Sequence, residues 1–248
     1  MPSNLLTKCK KIVKPLEKTI LHPQWLSYRC EVLEDWIAEI HQGTIVLDIG
    51  CADRWPEKFL PKECRYIGLD YAVTAIDMYN SHVDVYATAE NLPFDTSSID
   101  TILMFDVFEH IRDGDAALSE TYRVLKPGGK ALVQIPFMYP IHDAPFDYRR
   151  PTEFGVVALA ERHNFVIEKF GIRGKPLETA CLLLNIAMVK SLLNAVGRRR
   201  ILAVLLLPFV IVMTVLSNIV GWVASSMFAN DNLMPFSYHF ILKKTGSS

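Results

Sequence analysis

From residue 44 the chain reads Thr44-Ile45-Val46-Leu47-Asp48-Ile49-Gly50-Cys51-Ala52-Asp53, and this stretch decides the fold. A short apolar run that ends in turn residues is typical of a buried strand in a parallel sheet. Ligands of open α/β sheets bind outside the carboxyl ends of their strands. Gly50 stands at such an end, where the missing Cβ lets a ligand approach the backbone. We therefore expect a ligand site here, with Asp48 accepting hydrogen bonds or balancing a ligand cation.

A second strand of the same kind follows and reads Arg65-Tyr66-Ile67-Gly68-Leu69-Asp70. Its closing acid comes about twenty residues after Gly50, at the position that holds ribose hydroxyls in nucleotide-binding βαβ units. The two strands therefore predict a site for a nucleotide-like ligand. A Rossmann-like domain for another nucleotide would carry the same pattern, so the rest of the chain must decide between them.

These motifs resemble the S-adenosylmethionine site of class I methyltransferases, and the resemblance lies in Val46-Leu47-Asp48-Ile49-Gly50-Cys51 and Ile67-Gly68-Leu69-Asp70. The run Glu120-x-x-Arg123-Val124-Leu125-Lys126-Pro127-Gly128-Gly129 closely resembles the methyltransferase type 11 family. The resemblance implies an α/β fold with a Rossmann-like, seven-stranded sheet of order 3-2-1-4-5-7-6, in which strand 7 is antiparallel. It also implies S-adenosyl-L-methionine as the cofactor.

The remaining sequence supplies the other elements of this sheet. Strands three to seven are predicted at 82–87, 98–106, 131–136, 164–170 and 236–244. One helix is predicted to begin at Ser27 and another to cover 72–80, while Asp115 is predicted to cap the helix after strand four. The stretch 126–130 predicts a sharp stop and turn between that helix and strand five.

The resemblance places the cofactor against strand ends and the turns beside them. The residues implied are Asp48, Gly50, Cys51, Ala52, Asp70, Tyr71, Thr88, Ala89, Glu90 and Phe105. Two of them depart from the family's pattern. Ala52 replaces a glycine, and it permits close approach of the donor if its φ is negative. Thr88 replaces an aspartate that lies beside the adenine, and its hydroxyl or the Ala89 backbone could make that contact instead.

The loop after strand five is the predicted substrate side. Residues 142–150 contain a histidine, two aspartates, a tyrosine and two arginines. This stretch resembles one found in methyltransferases associated with bacterial surface polysaccharide and lipid-linked sugar assembly. The predicted substrate-binding residues are Asp147, Tyr148, Arg149 and Arg150, because arginine can hold a sugar or phosphate by bidentate hydrogen bonds. Alternatively, Asp147 pairs with an arginine and only holds the loop in place.

Methyl transfer to a hydroxyl needs an acceptor held in line with the methyl group and a base that removes the proton. His142 is the predicted base, because the unperturbed pKa of histidine lies near the operating pH. Asp143 or Asp106 could orient His142 or serve in its place. His110, in the Glu109-His110 pair, is a second candidate base, although its place on the helix after strand four favours a structural role. No metal site is predicted.

Composition excludes several classes of protein. The chain has 248 residues and a net charge of −1, so charge gives no reason to expect a nucleic-acid partner. Its five cysteines are scattered without a C-x-x-C pair, which argues against a disulfide framework or a zinc site and for a reducing compartment. The Lys-rich opening lacks the apolar core of a signal peptide, so we expect a cytoplasmic location.

A hydrophobic segment, 177–230, interrupts this pattern. Its run 201–228 has no charged residue, and as a helix of about 42 Å it could cross a hydrocarbon core of about 30 Å. A single crossing would separate strand six from strand seven, so we expect a hairpin of two helices (177–196 and 201–228), a re-entrant or interfacial element, or a buried dimer contact. The segment would lie in the membrane face with Arg198–Arg200 at anionic headgroups, or it would form a dry homodimer interface. A basic helix within 1–24 could also contact the membrane.

The sequence thus predicts four regions: a helical region at 1–43, a cofactor-binding core at 44–176, the hydrophobic insertion at 177–230 and a final core strand with tail at 231–248. The function predicted is S-adenosylmethionine-dependent O-methylation of a saccharide or lipid-linked acceptor, by a peripheral or monotopic protein at the inner face of the cell membrane. The alternatives are a quinone or lipid methyltransferase and a membrane-associated scaffold that keeps the fold without the chemistry.

Overall fold

The computed structural model describes residues 14–29, 32–76, 83–228 and 232–246. Its sheet has seven strands in the order β3-β2-β1-β4-β5-β7-β6, which confirms the predicted order. The strands are β1 (Ile45–Ile49), β2 (Arg65–Asp70), β3 (Val85–Tyr86), β4 (Ile99–Phe105), β5 (Leu125–Pro136), β6 (Phe165–Arg173) and β7 (Ser237–Lys244). Strands β1 to β5 pair in parallel, and β7 is antiparallel to β5.

The first strand lies in the middle of the parallel part, between β2 and β4. Its residues Val46 and Leu47 are completely buried, because both faces of the sheet are covered. The register pairs Ile49 with Leu69, so Gly50 and Asp70 leave the sheet side by side. The two stretches that the sequence identifies therefore meet at one edge.

Six α-helices connect or flank the strands in the described ranges. They are α1 (Val32–Ala38), α2 (Ala72–Thr74), α3 (Gly114–Val124), α4 (Glu153–Arg162), α5 (Pro176–Arg198) and α6 (Arg200–Met227). Short 3₁₀ turns occur at Lys14–Leu16, Trp25–Arg29, Trp55–Phe59 and Phe108–His110. The predicted two-helix insertion between β6 and β7 is therefore confirmed as α5 and α6.

Two predicted helix starts are wrong. Asp113, not Asp115, caps α3, because the Asp113 carboxylate accepts the Ala116 N–H at 3.0 Å. Asp115 instead binds Arg162 and His163 at 3.0 and 2.8 Å. Ser27 lies inside a 3₁₀ turn and donates its hydroxyl to the carbonyl three residues back, so it does not cap a helix.

The predicted turn at 126–130 is also wrong, because β5 begins at Leu125 and continues through it. Lys126 anchors this start by two 2.8 Å bonds to Asp100. Gly128 has a φ of 79°, and it makes an irregularity within the strand rather than its end. Among the described residues, the predicted strand 82–87 is reduced to Val85–Tyr86. The predicted helix 72–80 begins as Ala72–Thr74 and continues as a π-helical turn at 75–76, up to the last described residue of that stretch. Residues 1–13, 77–80 and 82 of the predicted elements lie outside the described residues.

The structure comprises two compact units. One contains the sheet with α1 to α4, and its core includes Leu47, Ile102, Leu125 and Ala131, each fully buried. The other contains, among the described residues, 14–29, 138–140, 173–228 and 232–236. The predicted N-terminal region 1–43 is thus shared between the two units.

Helices α5 and α6 form the centre of the second unit. At the start of α5, Lys175 binds the Ser225 carbonyl near the end of α6. Further along α5, Cys181 and Asn185 bind Ser217 and Asn218, which lie earlier in α6. The two helices are therefore an antiparallel hairpin. Pro176–Val196 and Arg200–Met227 are each long and apolar enough to cross a membrane, judged by length and composition alone.

A buried asparagine pair joins the hairpin to the segment before it. Asn185 donates its amide to Asn218 at 2.8 Å, and Asn218 donates to the carbonyls of Ile20 and His22 at 2.8 and 3.0 Å. Both asparagines are fully buried. Because buried polar groups are costly when unpaired, this network fixes how these three segments pack.

We predict that Asn218→Ala lowers the free energy of unfolding by about 2–3 kcal/mol, since it leaves two carbonyls and an amide without partners. Chemical denaturation measures the loss. Asn194→Ala on the exposed side of α5 is the control, and it should change stability by less than about 0.5 kcal/mol. Equal losses in the two variants would remove this role from Asn218.

Candidate functional site

The turn after β1 is tied directly to the end of β2. The backbone N–H groups of Gly50 and Cys51 both donate to the Leu69 carbonyl, at 2.8 and 3.1 Å. Gly50 has a φ of 73°, and a Cβ there would lie 2.3 Å from a methyl group of Val107. A glycine is therefore required at this position by its conformation and by its neighbour.

Asp70 organises the same turn from the end of β2. One carboxylate oxygen accepts the Tyr71 N–H at 2.8 Å and the Thr74 hydroxyl at 3.2 Å, and the other accepts the Ala52 N–H at 3.1 Å. Each carboxylate oxygen has two acceptor sites, so the oxygen facing Ala52 can accept a further bond. Its position therefore fits a contact with a ligand hydroxyl.

Ala52 does not meet the condition that the sequence analysis sets for it. Its φ is +40°, not negative. Alanine in this region costs roughly 1–2 kcal/mol, and the hydrogen bond from Ala52 to Asp70 helps to hold it there. The turn thus keeps the backbone shape of a glycine turn although it has an alanine side chain.

Asp48 lies beneath this turn, closed off from solvent. It is 3% exposed, and its carboxylate accepts the Tyr66 hydroxyl at 2.5 Å. Burial raises the pKa of Asp48 to about 7, against the hydrogen bond from Tyr66, and the negative charge of Asp70 raises it further. Asp48 therefore supports the site through Tyr66, and ligand contact by its carboxylate stays a prediction.

Cys51 is buried beside these acids. Burial, followed by the charges of Asp48 and Asp70, raises the pKa of the Cys51 thiol to about 12. The thiol therefore stays protonated at neutral pH and is a poor nucleophile.

Arg54 is part of the site, although the sequence analysis misses it. Its guanidinium lies 4.6 Å from the centre of the Tyr66 ring and binds Asp84 at 2.9 Å. Asp84 also accepts the Gly68 N–H at 2.7 Å. This bond and the contact with Arg54 lower the pKa of Asp84 below its usual range, although burial acts to raise it. Arg54 has a left-handed φ of 58°, and this turn directs its side chain towards β2. The position of Arg54 in the sequence does not reveal such a turn.

The Glu120–Arg123 pair explains the structural role of the start of the run 120–129. Arg123 donates to the carbonyls of Leu92 and Phe94 at 3.0 and 2.8 Å, while Glu120 accepts the Leu92 N–H at 2.8 Å. Arg123 and Glu120 are also paired at 2.7 Å. Together they hold the turn that carries the predicted cofactor residues Thr88, Ala89 and Glu90.

A cavity of about 730 Å³ opens beside this turn. Its lining includes Thr88, Glu90, Phe108 and Arg149, so it brings two predicted cofactor residues near a predicted substrate residue. The lining does not include Asp48, Gly50 or Asp70, which form a separate part of the site.

On the other side of β1, Phe105 packs against Trp55 with ring centres 5.5 Å apart. Asp106 follows Phe105 with a φ of 53° and accepts the Gln134 amide at 2.7 Å. Asp143 also has a positive φ, 48°, and its carbonyl accepts the Phe146 N–H. Strained backbone at both aspartates is consistent with a functional loop.

Three side chains of the predicted substrate loop, residues 142–150, contact one another, namely His142, Asp147 and Arg150. Asp147 binds Arg150 through two hydrogen bonds of 2.5 and 2.6 Å and accepts the His142 N–H at 2.9 Å. Burial acts to raise the pKa of Asp147, but these bonds outweigh it, and the pKa is lowered. This geometry favours the alternative that Asp147 pins the loop.

Arg149 and Tyr148 have different surroundings. The Arg149 guanidinium lies 5.0 Å from the centre of the Phe108 ring and donates to the Arg112 carbonyl at 2.8 Å. The Tyr148 side chain is exposed. These two residues are the predicted substrate ligands that face open space or the cavity.

A cluster of Glu109, His110 and His142 lies at the base of the same loop. Each residue offers one ligand atom, and these atoms lie within 4.8 Å of one another. The two imidazole rings are 4.7 Å apart at their centres. From the sequence, His110 is a second candidate base with a structural role favoured, and Glu109 is noted only as its neighbour; the sequence spacing gives no sign that His142 joins them.

Comparison with known proteins gives one family match. Residues 47–133 match the family model described as a methyltransferase domain. A protein described as a probable S-adenosylmethionine-dependent methyltransferase of Mycolicibacterium smegmatis is 31% identical over 141 residues, which cover 54% of this chain and 55% of the relative. A ubiquinone/menaquinone biosynthesis C-methyltransferase, UbiE of Haemophilus ducreyi, is 44% identical over 123 residues, covering 42% and 45%. The matches thus span about half the length of these relatives.

Solved structures share the fold. The [4+2]-cyclase SpnF superposes with a TM-score of 0.57 at 15% identity, covering 97% of this chain and 95% of SpnF. A sarcosine dimethylglycine methyltransferase candidate from Galdieria sulphuraria superposes with a TM-score of 0.54 at 15% identity, covering 90% and 85%. At such identities the likeness concerns the fold alone.

We predict that Asp48→Asn stabilises the protein above pH 7. With a folded-state pKa of about 7 and an unfolded value near 3.9, the folded protein keeps a proton that the unfolded chain loses between these values. The contribution of Asp48 to stability therefore falls as pH rises through this window. Asparagine keeps the acceptor for Tyr66 without the charge, so the gain at pH 8 should be on the order of 4 kcal/mol.

Unfolding free energies measured between pH 5 and pH 8 test this, with Asp95→Asn at an exposed position as control. A variant that is no more stable than the wild type at pH 8 would show that Asp48 is not held against its charge.

Proposed function

We infer that this protein is an S-adenosylmethionine-dependent methyltransferase, since residues 47–133 form a methyltransferase domain on a class I sheet. We propose that it methylates an oxygen of a saccharide or lipid-linked acceptor at the inner face of the cell membrane. The observation that carries the proposal is the joined ends of β1 and β2, where Gly50 and Asp70 present a backbone turn and a carboxylate with spare acceptor capacity.

The residues at this edge suit the parts of the donor. Asp70 would accept the ribose hydroxyls, and the turn of Thr88, Ala89 and Glu90 would border the adenine. Asp70 would add negative charge near a ligand that is cationic. When bound, S-adenosylmethionine supplies a methyl group made electrophilic by the sulfonium.

On the acceptor side, the substrate loop supplies positioning and a base. Arg149 and Tyr148 would hold the acceptor by hydrogen bonds. Asp147, 3.4 Å from Nδ1 of His142, would hold that ring in place, and His142 would take the proton. Asp143 and Asp106 remain the other candidates for this role.

Two alternatives differ in the acceptor or in activity. The relative UbiE is described as a quinone-biosynthesis C-methyltransferase, which favours a quinone or another membrane lipid as a second candidate acceptor. A scaffold without chemistry would explain Ala52 and Thr88, but it gives no reason to keep the Gly50–Asp70 turn.

The membrane part of the proposal depends on the side chains of α6. Its buried side is formed by Ala203, Val210, Thr214, Ser217, Asn218, Gly221 and Ala224. Its exposed side is formed by Ile201, Val204, Leu205, Phe209, Val212, Leu216, Val220 and Met227. Small and polar residues inside with large apolar residues outside reverse the pattern of a water-soluble helix and suit a helix packed in lipid.

Charge placement favours a hairpin that lies in the membrane face. The connection between α5 and α6 carries Arg198, Arg199 and Arg200, which would have to cross the bilayer if the hairpin spanned it. Both ends of the hairpin continue into strands of one sheet, β6 and β7, so both must emerge on the same side. An interfacial hairpin satisfies both constraints. A homodimer that covers the same face is the alternative.

Methyl transfer is tested with labelled S-adenosylmethionine against lipid extracts, quinone precursors and lipid-linked saccharides. We predict label in the saccharide-lipid fraction and a loss in Asp70→Asn, whose donor binding should weaken by roughly 1.5–3 kcal/mol. Calorimetry measures that binding, with Asp95→Asn as control. Label in the quinone fraction would identify a quinone, rather than a lipid-linked saccharide, as the acceptor. Intact donor binding without transfer to any fraction would support the scaffold.

Membrane attachment is tested by flotation with anionic vesicles. Leu205, 70% exposed on α6, should tolerate arginine poorly, at a cost of roughly 2.5–3.5 kcal/mol at hydrocarbon depth. We therefore predict that Leu205→Arg releases much of the protein from vesicles, whereas Val166→Arg on exposed β6 does not. A wild-type protein that stays in solution as a dimer, and becomes a monomer in Leu205→Arg, would contradict membrane attachment.

A further inference from the structure

The cluster of Glu109, His110 and His142 brings one carboxylate oxygen and two imidazole nitrogens close together. Nε2 of His110 and Nε2 of His142 each lie 3.6 Å from the same carboxylate oxygen of Glu109. This is longer than a hydrogen bond, but it is close to the separation of about 3.4 Å between two ligands of one tetrahedral ion with bonds near 2.1 Å. The spacing therefore suits a shared cation better than direct bonds.

Glu109 is the least satisfied member. Its side chain is 0% exposed, and neither carboxylate oxygen has a hydrogen-bond partner among the described residues. A buried carboxylate without a partner is costly, and such groups usually pair with a cation or bind a metal. Oε1 lies 3.6 Å from Nε2 of both imidazoles, so a cation placed between these three atoms would supply the partner.

The outer contact of His110 prepares Nε2 as a metal ligand. Nδ1 of His110 lies 2.7 Å from the Phe146 carbonyl, which can only accept, so Nδ1 carries the proton. A carbonyl behind the distal nitrogen is the usual support of a metal-binding histidine, since it fixes the tautomer and the ring orientation. Nδ1 of His142 lies 3.4 Å from both the Asp147 carboxylate and the Arg150 guanidinium, and these contacts hold its ring with Nε2 towards Glu109.

We propose that Glu109, His110 and His142 bind one divalent first-row transition-metal ion. Two imidazoles and one carboxylate are typical of zinc, iron, manganese and cobalt sites, and three protein ligands leave a coordination position open. The site stands apart from the Gly50–Asp70 turn and needs no donor to form.

Its role rests on the proposed function. An oxygen of the acceptor would take the open position, and the ion would lower the proton affinity of that oxygen. His142 would then act as a ligand rather than as the base. On this view His110 matters as much as His142, whereas a histidine base alone makes His142 the critical residue.

Metal binding is measured on untagged full-length protein stripped with EDTA, with Zn²⁺, Mn²⁺ and Co²⁺ as probes. Equilibrium dialysis should give one ion per chain for the wild type, and the visible spectrum of Co²⁺ should indicate nitrogen and oxygen ligands. His110→Ala, His142→Ala and Glu109→Gln should each weaken binding by at least about tenfold. His41→Ala, at an exposed histidine elsewhere, should bind as the wild type does.

Several outcomes would overturn the site. These are the absence of stoichiometric binding of all three ions by the wild type, unchanged binding in folded His110→Ala or His142→Ala, or a cobalt–thiolate band. If the wild type binds none of the three ions stoichiometrically, protons rather than a metal ion connect Glu109 with the two histidines. Circular dichroism establishes that each variant is folded, and His142→Ala, in a surface loop, remains available if a change at His110 prevents folding. Because no donor or acceptor is present, a failed metal site and a failed methyltransferase give separate results.

Discussion

The pairing of β7 with β5 is the constraint on which the rest of the structure depends. Seven residue pairs, from Lys130–Lys243 to Pro136–Ser237, place the last strand inside the sheet. Whatever lies between β6 and β7 must therefore leave the sheet and come back to it. A segment with the hydropathy of a transmembrane helix is thereby converted into a hairpin, because a single crossing would break the pairing. The buried asparagines and the small residues of α6 then hold the two helices together from within.

At the edge formed by β1 and β2, hydrogen-bond donors offset the free-energy cost of burying two acidic side chains. Asp70 has three donors from its own turn, and Asp48 has the Tyr66 hydroxyl. One acid is thus prepared to meet a ligand, and the other maintains the shape beneath it at the expense of stability at high pH. Arg54 and Asp84 brace the same edge from outside. The donor site is in this sense a balance of charges inside a low-dielectric core.

The substrate loop shows how one sequence pattern serves two purposes. Asp147 and Arg150 bind each other and order the loop, and this pair also places His142 over Glu109. Of the predicted substrate ligands, Asp147 and Arg150 therefore stabilise the loop, whereas Tyr148 and Arg149 remain the candidates for contact with the acceptor. Glu109 is buried, and its carboxylate has no hydrogen-bond partner in the part of the chain that the structure describes. It connects this loop to the end of β4, at the proposed metal site.

The sequence by itself located the two strand-end motifs and the apolar segment between strands six and seven, because both depend on local periodicity and on the need of parallel strands to be buried. The strand order was implied by the resemblance to class I methyltransferases and is confirmed by the sheet. Tertiary structure alone decided the cap of α3, the positive φ of Ala52 and the extension of β5 through its glycines. These depend on partners distant in the chain: Arg162 and His163 draw Asp115 away, Asp70 holds Ala52, and Asp100 anchors Lys126. The Glu109 cluster belongs to the same class, since its third member comes from a loop more than thirty positions away and no spacing rule joins His142 to Glu109.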